Sequence, residues 1–252
     1  MSNDADQKIR ALATDDHYPA VLKLFEGAPR GRILDVPAGH GAFAQELLKL
    51  GYDDIHCLDI NAEAFALKDN RVRFQRHDVM DPLPYPDGYF DHVFSIEGIE
   101  HFHNPWTFTS ELCRVLKPGG RLYISTPNTF SVDARIKYLV SGYFPRFKPL
   151  MQQPSRVMDQ PVDDAHISPI YFWQLHYFMM LGGVSIARVN TNAYFYKPQW
   201  IKRVMENCIA RIIRNNVKKR KFPDHGVTSE EMLFGDCIII EGKKGDAALR
   251  VP

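Results

Sequence analysis

The stretch Arg32-Ile33-Leu34-Asp35-Val36-Pro37-Ala38-Gly39-His40-Gly41-Ala42-Phe43-Ala44-Gln45-Glu46-Leu47-Leu48-Lys49-Leu50 decides the reading of this chain. Arg32–Pro37 is a short apolar run ending in a turn, the pattern of a buried parallel strand. From Gly41 onward, Phe43, Leu47, Leu48 and Leu50 recur at helical spacing. Gly39 and Gly41 lie between strand and helix. Glycines there let a ligand approach the backbone closely at a helix N-terminus.

The alternation continues outward. Asp54–Asp59 reads as a second strand, followed by a helix near Ala62–Leu67. Val72–Arg76 reads as a third strand and Asp91–Ile96 as a fourth. Trp106–Leu116 reads as a helix that Lys117-Pro118-Gly119-Gly120 stops, and Arg121–Thr126 as a fifth strand. Repeated strand–helix units predict an α/β fold, a mostly parallel sheet with helices on both faces. After Pro127 the rhythm breaks into a helix at Phe130–Ser141 and a Pro-, Tyr- and Phe-rich loop at Gly142–His166. An aromatic helix at Ser168–Leu181, with Ser168 as N-cap and Pro169 at its first turn, precedes a sixth strand at Val184–Thr191. Roughly fifty residues separate strands that a short crossover could join. Residues 128–182 are therefore expected to form a lid or acceptor-binding insertion within one domain spanning 1–252. Lys197–Lys221 reads as a basic amphipathic helix and Met232–Glu241 as the last strand. The first ten and last seven residues are expected to fray.

Composition narrows the class. With 252 residues, 45% hydrophobic, the chain suits one domain with its own core. Its four cysteines include no CxxC pair, so reduced thiols and a cytoplasmic location are expected. No secretory leader follows Met1, and no apolar run reaches the ~18 residues of a membrane span. The net charge of +1 conceals an asymmetry: residues 197–221 hold nine Lys or Arg and one acid, leaving −7 on the rest. On a helical wheel Arg203, Arg211, Arg214 and Lys218 lie opposite Trp200, Ile201, Val204, Met205, Cys208, Ile209 and Ile212. Such a helix either docks its apolar side on its own domain or a second subunit, or lies peripherally on an anionic membrane.

Acidic residues gather where the strands end. Asp59 closes the second strand twenty positions after Gly39, where a carboxylate accepts ribose hydroxyls. Gly39-His40-Gly41-Ala42-Phe43-Ala44 also satisfies G-x-G-x-x-A, which keeps an NAD-dependent oxidoreductase in view. Asp35 precedes the loop, in place to orient it or to meet an ammonium group. Asp78 ends the third strand, and Glu97-Gly98-Ile99-Glu100-His101 ends the fourth. These ends share one sheet edge, and a ligand with ribose, adenine and an amino-acid ammonium would use all of them.

With these residues in place, the chain resembles the class I S-adenosylmethionine-dependent methyltransferases, in their small-molecule, type 11-like group. The carrying residues are Ile33–Gly41, Leu58-Asp59-Ile60, Asp78-Val79, Leu83-Pro84-Tyr85-Pro86-Asp87, Phe90–Val93, Ile99-Glu100-His101 and Arg114–Gly120. The resemblance implies a Rossmann-like sheet of seven strands in the order 3-2-1-4-5-7-6, the seventh antiparallel. It implies S-adenosyl-L-methionine as cofactor. Asp35, Pro37, Gly39 and Gly41 would line its methionine portion. Asp59 and Ile60 would meet the ribose, Asp78 and Val79 the adenine, and Glu97 would complete the set. Pro37 departs from the family, which usually has glycine there, and predicts retained binding with an altered loop.

The expected reaction is methyl transfer to a small-molecule or lipid- or glycan-linked acceptor at oxygen. A non-catalytic binding protein of the same fold and an NAD-dependent oxidoreductase are the alternatives, and nucleic acid is not an expected partner. A homo-oligomer is compatible with the sequence. His101 and His166 are the candidate bases. The His101-Phe102-His103 run with His166 lacks supporting carboxylate spacing, so no metal site is expected. Aromatics of the insertion would form part of an acceptor wall.

Overall fold

The computed structural model describes residues 9–11, 16–147, 155–157, 160–162, 165–194, 200–221 and 226–246. Its elements run α1 (His17–Phe25), β1 (Ile33–Asp35), α2 (Ala42–Lys49), β2 (Ile55–Asp59), β3 (Val72–Arg76) and β4 (Phe90–Ile96). A 3-10 turn (Ile99–His101), α3 (Pro105–Val115), β5 (Leu116–Pro127) and α4 (Val132–Ser141) follow. Next come a hairpin of β6 (Ser155–Val157) and β7 (Gln160–Val162), then α5 (Phe172–Leu181) and β8 (Val184–Thr191). The chain ends with α6 (Trp200–Arg220), α7 (Glu230–Phe234) and β9 (Cys237–Lys244).

Seven strands form one sheet in the order β3-β2-β1-β4-β5-β9-β8. The first five pair in parallel, and β9 runs antiparallel between β5 and β8. This is the 3-2-1-4-5-7-6 sheet expected from the sequence. Its central strands β1, β2 and β4 are almost wholly buried because both faces are covered, whereas the edge strands β3 and β8 are largely not. Leu34, Val93, Leu122, Ile238 and Ile240 pack with Phe108 and Leu112 of α3 and Phe172 and Met179 of α5. The alternating Ile33, Ile55, Phe94, Tyr123 and Ile239 face the other way, onto Val21 and Phe25 of α1 and Phe43 and Leu47 of α2.

Several expectations need correction. Residues 62–64 form a turn and 65–67 irregular backbone instead of a helix. The Asn61 side chain accepts from Ala64 N, and Ala66 N donates to His40 O, so the local polar groups take the bonds a helix would need. Lys117-Pro118-Gly119-Gly120 ends α3 as expected but continues as an irregularity within β5, which lets strand pairing start at Leu116. α5 begins at Phe172 behind Tyr171, because the Ser168 hydroxyl donates to Phe102 O and is not its cap. The last strand starts later than read, because Ser229 caps the short α7, accepting from Met232 N. Helix α1 went unread. Of the ends expected to fray, residues 1–8 and 247–252 lie outside the described residues.

Helix α6 also turns differently than its wheel suggested. Glu206 and Ala210 are buried, with Ala210, Ile209 and Ile213 packing on Val132 and Leu233. Trp200, Val204, Met205 and Ile212 are exposed. Among the described residues no helix is long and apolar enough to cross a membrane.

Candidate active site at the C-terminal strand edge

The loop after β1 is built by opposing constraints. Gly39 and Gly41 take φ of 52° and 86°, a region glycine enters without strain. A Cβ on Gly41 would sit 2.8 Å from Leu67 Cβ, so the turn after β2 closes tightly on this loop. Pro37 follows a cis peptide bond from Val36 and packs its ring over Gly98, where a Cβ would lie 2.4 Å from Pro37 Cδ. Proline at this position is therefore matched by glycine after β4.

Two carboxylates flank the loop. Asp59 Oδ2 accepts from Gly39 N at 2.8 Å and Oδ1 from Asn61 N at 2.9 Å. Burial raises its pKa, partly offset by these backbone bonds. Each oxygen keeps a second lone pair for a ligand hydroxyl. Asp35 is almost fully buried, and its Oδ2 has no partner. Burial, then the nearby Asp59 charge, hold its pKa well above the carboxylate range. An orphaned carboxyl beneath a glycine turn suits an incoming ammonium. Ile60 and Asp78-Val79 line the adjoining strand ends: Arg76 Nε donates to Ile60 O, and His77 N to Asp59 O. Asp78 is exposed, with Oδ1 accepting from Met80 N, and Val79 is buried in the core.

A family model described as a methyltransferase domain matches residues 34–124, the segment carrying this loop and these strand ends. The 27-O-demethylrifamycin SV methyltransferase of Amycolatopsis mediterranei is 36% identical over 132 residues, 47% of each protein. The ubiquinone biosynthesis O-methyltransferase of Maricaulis maris is 31% identical over 135 residues, 48% of this chain and 51% of that protein. The chain thus matches these curated relatives over about half their length. A crystal structure of an S-adenosylmethionine-dependent methyltransferase from Mesorhizobium loti shares the fold, with a TM-score of 0.55 at 16% identity over 91% of this chain and 98% of that one. Residues 34–124 thus match a methyltransferase domain, and the chain has the fold of the class I S-adenosylmethionine-dependent methyltransferases.

Residues 9–11 lie against the loop. Ile9 N donates to Gln45 Oε1, and His40 Nδ1 donates to Arg10 O at 3.2 Å. Tyr18 of α1 packs on Phe43, and burial, then the Asp35 and Glu46 charges, raise its phenol pKa. The apolar spacing of Val21, Leu24 and Phe25 was the available signal for this helix.

After β4 the chain gathers a second set of groups. Glu97 adopts φ of 48°. Its oxygens lie 3.4 Å from His17 Nε2 and 3.3 Å from Arg146 Nη1, and accept from Ser125 Oγ. Burial would raise its pKa, but the His17 hydrogen bond and charge, together with Arg146, bring it below the usual value. Arg146 also pairs with Asp236 and donates to Cys237 Sγ. The insertion is thereby tied to the sheet edge. Arg146 was invisible to sequence reasoning, because its partners lie 49 and 90 positions away.

The structure brings His101 and His166 together, their rings 4.8 Å apart and nearly perpendicular. His101 Nδ1 faces Ala165 O at 3.1 Å, and a carbonyl only accepts, so this nitrogen carries the proton. His166 is half-buried. Burial first, then His101, lower its pKa to about 4. Glu100, between Glu97 and His101, is fully buried. Burial and then the Glu97 charge raise its pKa well above the usual range.

Proposed function

We propose that this chain transfers a methyl group from S-adenosyl-L-methionine to an oxygen of a small-molecule acceptor. The observation that carries the reading is the buried Asp35 carboxyl with its partnerless Oδ2 at the start of the Gly39–Gly41 loop, with Asp59 beside it. Asp35, Pro37, Gly39 and Gly41 would hold the amino-acid end of the cofactor, Asp59 and Ile60 the ribose, and Asp78 and Val79 the adenine. Bound there, the cofactor supplies an electrophilic methyl group on a sulfonium. The protein's own task is to position the acceptor and exclude water. Helix α1 and residues 9–11 cover the cofactor side, and the insertion closes the acceptor side through Arg146. Glu97, paired within the protein, serves as the anchor for that closure and not as a cofactor ligand. His101 offers Nε2 as proton acceptor from the acceptor hydroxyl. His166 is too weak a base for that role at neutral pH.

Calorimetry with S-adenosylhomocysteine tests the reading. One site per chain is expected. Heat with NAD and none with S-adenosylhomocysteine would overturn it.

The exposed face of α6 supports a lipid-linked acceptor. Trp200, Val204, Met205 and Ile212 are exposed on the same helix as Arg211, Lys218 and Lys219, and the end of α4 adds exposed Leu139 and Val140. Apolar side chains set among cations suit the surface of an anionic membrane. This face would hold the chain where such an acceptor resides.

A further inference from the structure

We propose that Glu100, His101 and His166 form a binding site for a first-row divalent metal ion of the Mn2+ or Zn2+ type. Each offers one ligand atom, and the three atoms lie within 4.8 Å of one another. A bound ion with bonds of about 2.0–2.2 Å draws its ligands to roughly 3–4 Å apart. The trio therefore needs to close by about an ångström.

Two observations point to a missing partner at this cluster. Glu100 is 0% exposed, and its Oε1 accepts no hydrogen bond. His166 Nδ1 is likewise buried without a partner. Buried polar atoms normally find partners, and two unpartnered ones at one point form a donor set suited to a cation. The surroundings also orient the trio. Thr126 Oγ1 donates to Glu100 Oε2 at 3.0 Å, leaving Oε1 as the unengaged oxygen. His101 Nδ1 donates to Ala165 O, which leaves Nε2 for the ion. Ile167 N and Ser168 N both donate to Glu100 O, fixing the His166 segment to the turn that carries the other two residues. Outer bonds of this kind fix the tautomer and ring direction of metal-bound histidines.

The donor set selects the ion. Two imidazoles and one carboxylate suit Zn2+, Mn2+ or Fe2+, whereas Mg2+ prefers oxygen ligands alone. The nearby His17, Glu97 and Cys237 also cluster, but the Arg146 guanidinium already supplies their cation. Sequence spacing argued against a metal because the carboxylate is the immediate neighbour of His101, and the third ligand arrives from the insertion. The site stands on its own residues. With the ion bound, His101 Nε2 is a ligand and no longer the proton acceptor; the ion's role, polarising the acceptor hydroxyl so that it loses its proton to solvent, rests on the proposed transfer to oxygen.

The test uses the full chain, stripped with a chelator and titrated with MnCl2 or ZnCl2 alone. One ion per chain is expected. Electron spin-echo spectra of the Mn2+ form should show directly bound imidazole nitrogen, a readout that needs no variant. His101→Ala and His166→Ala should each weaken binding at least tenfold, and the exposed His103→Ala should not change it. No binding at millimolar metal, no imidazole coupling, or unchanged affinity in both variants would overturn the site. S-adenosylhomocysteine binding without metal binding would remove this inference alone. Metal binding without S-adenosylhomocysteine binding would remove the methyltransfer reading and leave the site.

Discussion

The Pro37 ring packs over Gly98, so closely that a single Cβ at position 98 would lie 2.4 Å from Pro37 Cδ and 2.7 Å from Cγ. Gly98 has φ of −129°, which any residue tolerates, so the requirement for glycine is the approach of the ring alone. Gly98→Ala should destabilise the chain by about 1–3 kcal/mol, the usual cost of overpacking. Alanine at 37 has neither Cγ nor Cδ. Thermal melts of Gly98→Ala, Pro37→Ala and the double variant should therefore show the second substitution recovering most of the first one's loss. Additive losses would mean the two positions are uncoupled.

Asp59 links the glycine loop to the turn after β2 by accepting from Gly39 N and Asn61 N. Asp59→Ala removes both acceptors and the charge offered to a ribose. Hydrogen bonds to charged groups contribute about 1.5–3 kcal/mol, so affinity for S-adenosylhomocysteine should fall roughly ten- to hundredfold. Asp59→Asn keeps one acceptor oxygen and should lie between. Calorimetry on the three proteins decides it, and equal affinities would remove Asp59 from the site.

Much of this site was legible because local rules and fold agree. Gly39 and Gly41 marked a loop that a ligand could approach closely, and the acids at 35, 59 and 78 fell at strand ends that a parallel sheet aligns on one edge. What stayed hidden depends on distant contacts. Arg146 meets Glu97 and Asp236 from the insertion, and His166 joins Glu100 and His101 across 66 and 65 positions of chain. Neither pairing has a period or a spacing. The false helix at 62–67 failed for a local reason that was readable: Asn61 competes for the backbone through its own side chain. On α6 the apolar stripe was read correctly but its direction was not, because Glu206 occupies the buried side.

Glu111 pins the Leu83–Asp87 loop. It accepts from Leu83 N at 2.7 Å and pairs with Arg114, which in turn donates to Leu83 O, Tyr85 O and Asp87. The Arg114 hydrogen bond, outweighing burial, lowers the Glu111 pKa in the folded chain. The unfolded chain then binds more protons below the ordinary glutamate value, so this contribution is complete above about pH 4.5 and is lost on further acidification. The stability difference between wild type and Glu111→Gln should be greatest above that pH and shrink below it. A difference that grows on acidification would contradict the assignment.

The α6 face predicts salt-sensitive lipid binding. Deleting 197–221 would strip Ala210 from its packing on Val132 and Leu233, so point changes are the sounder probe. Trp200→Ser with Ile212→Ser removes exposed apolar surface without touching that cluster. Wild type should sediment with phosphatidylserine-containing vesicles and less so at high salt. The double variant should remain largely in the supernatant. Equal sedimentation of the two proteins would assign this face another role.

Arg146 offers the strictest test of the insertion's closure. Its guanidinium joins Glu97, Asp236 and Cys237, groups just after β4, on the approach to β9 and on β9 itself. Removing one partner of a buried pair leaves the other charge uncompensated. About a third of the arginine side chain is exposed, so Arg146→Ala should cost about 2 kcal/mol, below the loss for a fully buried pair. Freed of Arg146, Glu97 loses the guanidinium charge beside its oxygen, and its carboxyl pKa should rise. Arg146→Lys restores the charge but not the two-pronged reach, and should recover part of the stability. Because the groups Arg146 holds, Glu97, Asp236 and Cys237, are not among the residues assigned to the cofactor, S-adenosylhomocysteine affinity should change little. A loss of cofactor affinity equal to that of Asp59→Ala would show instead that the two halves of the site fold as one unit.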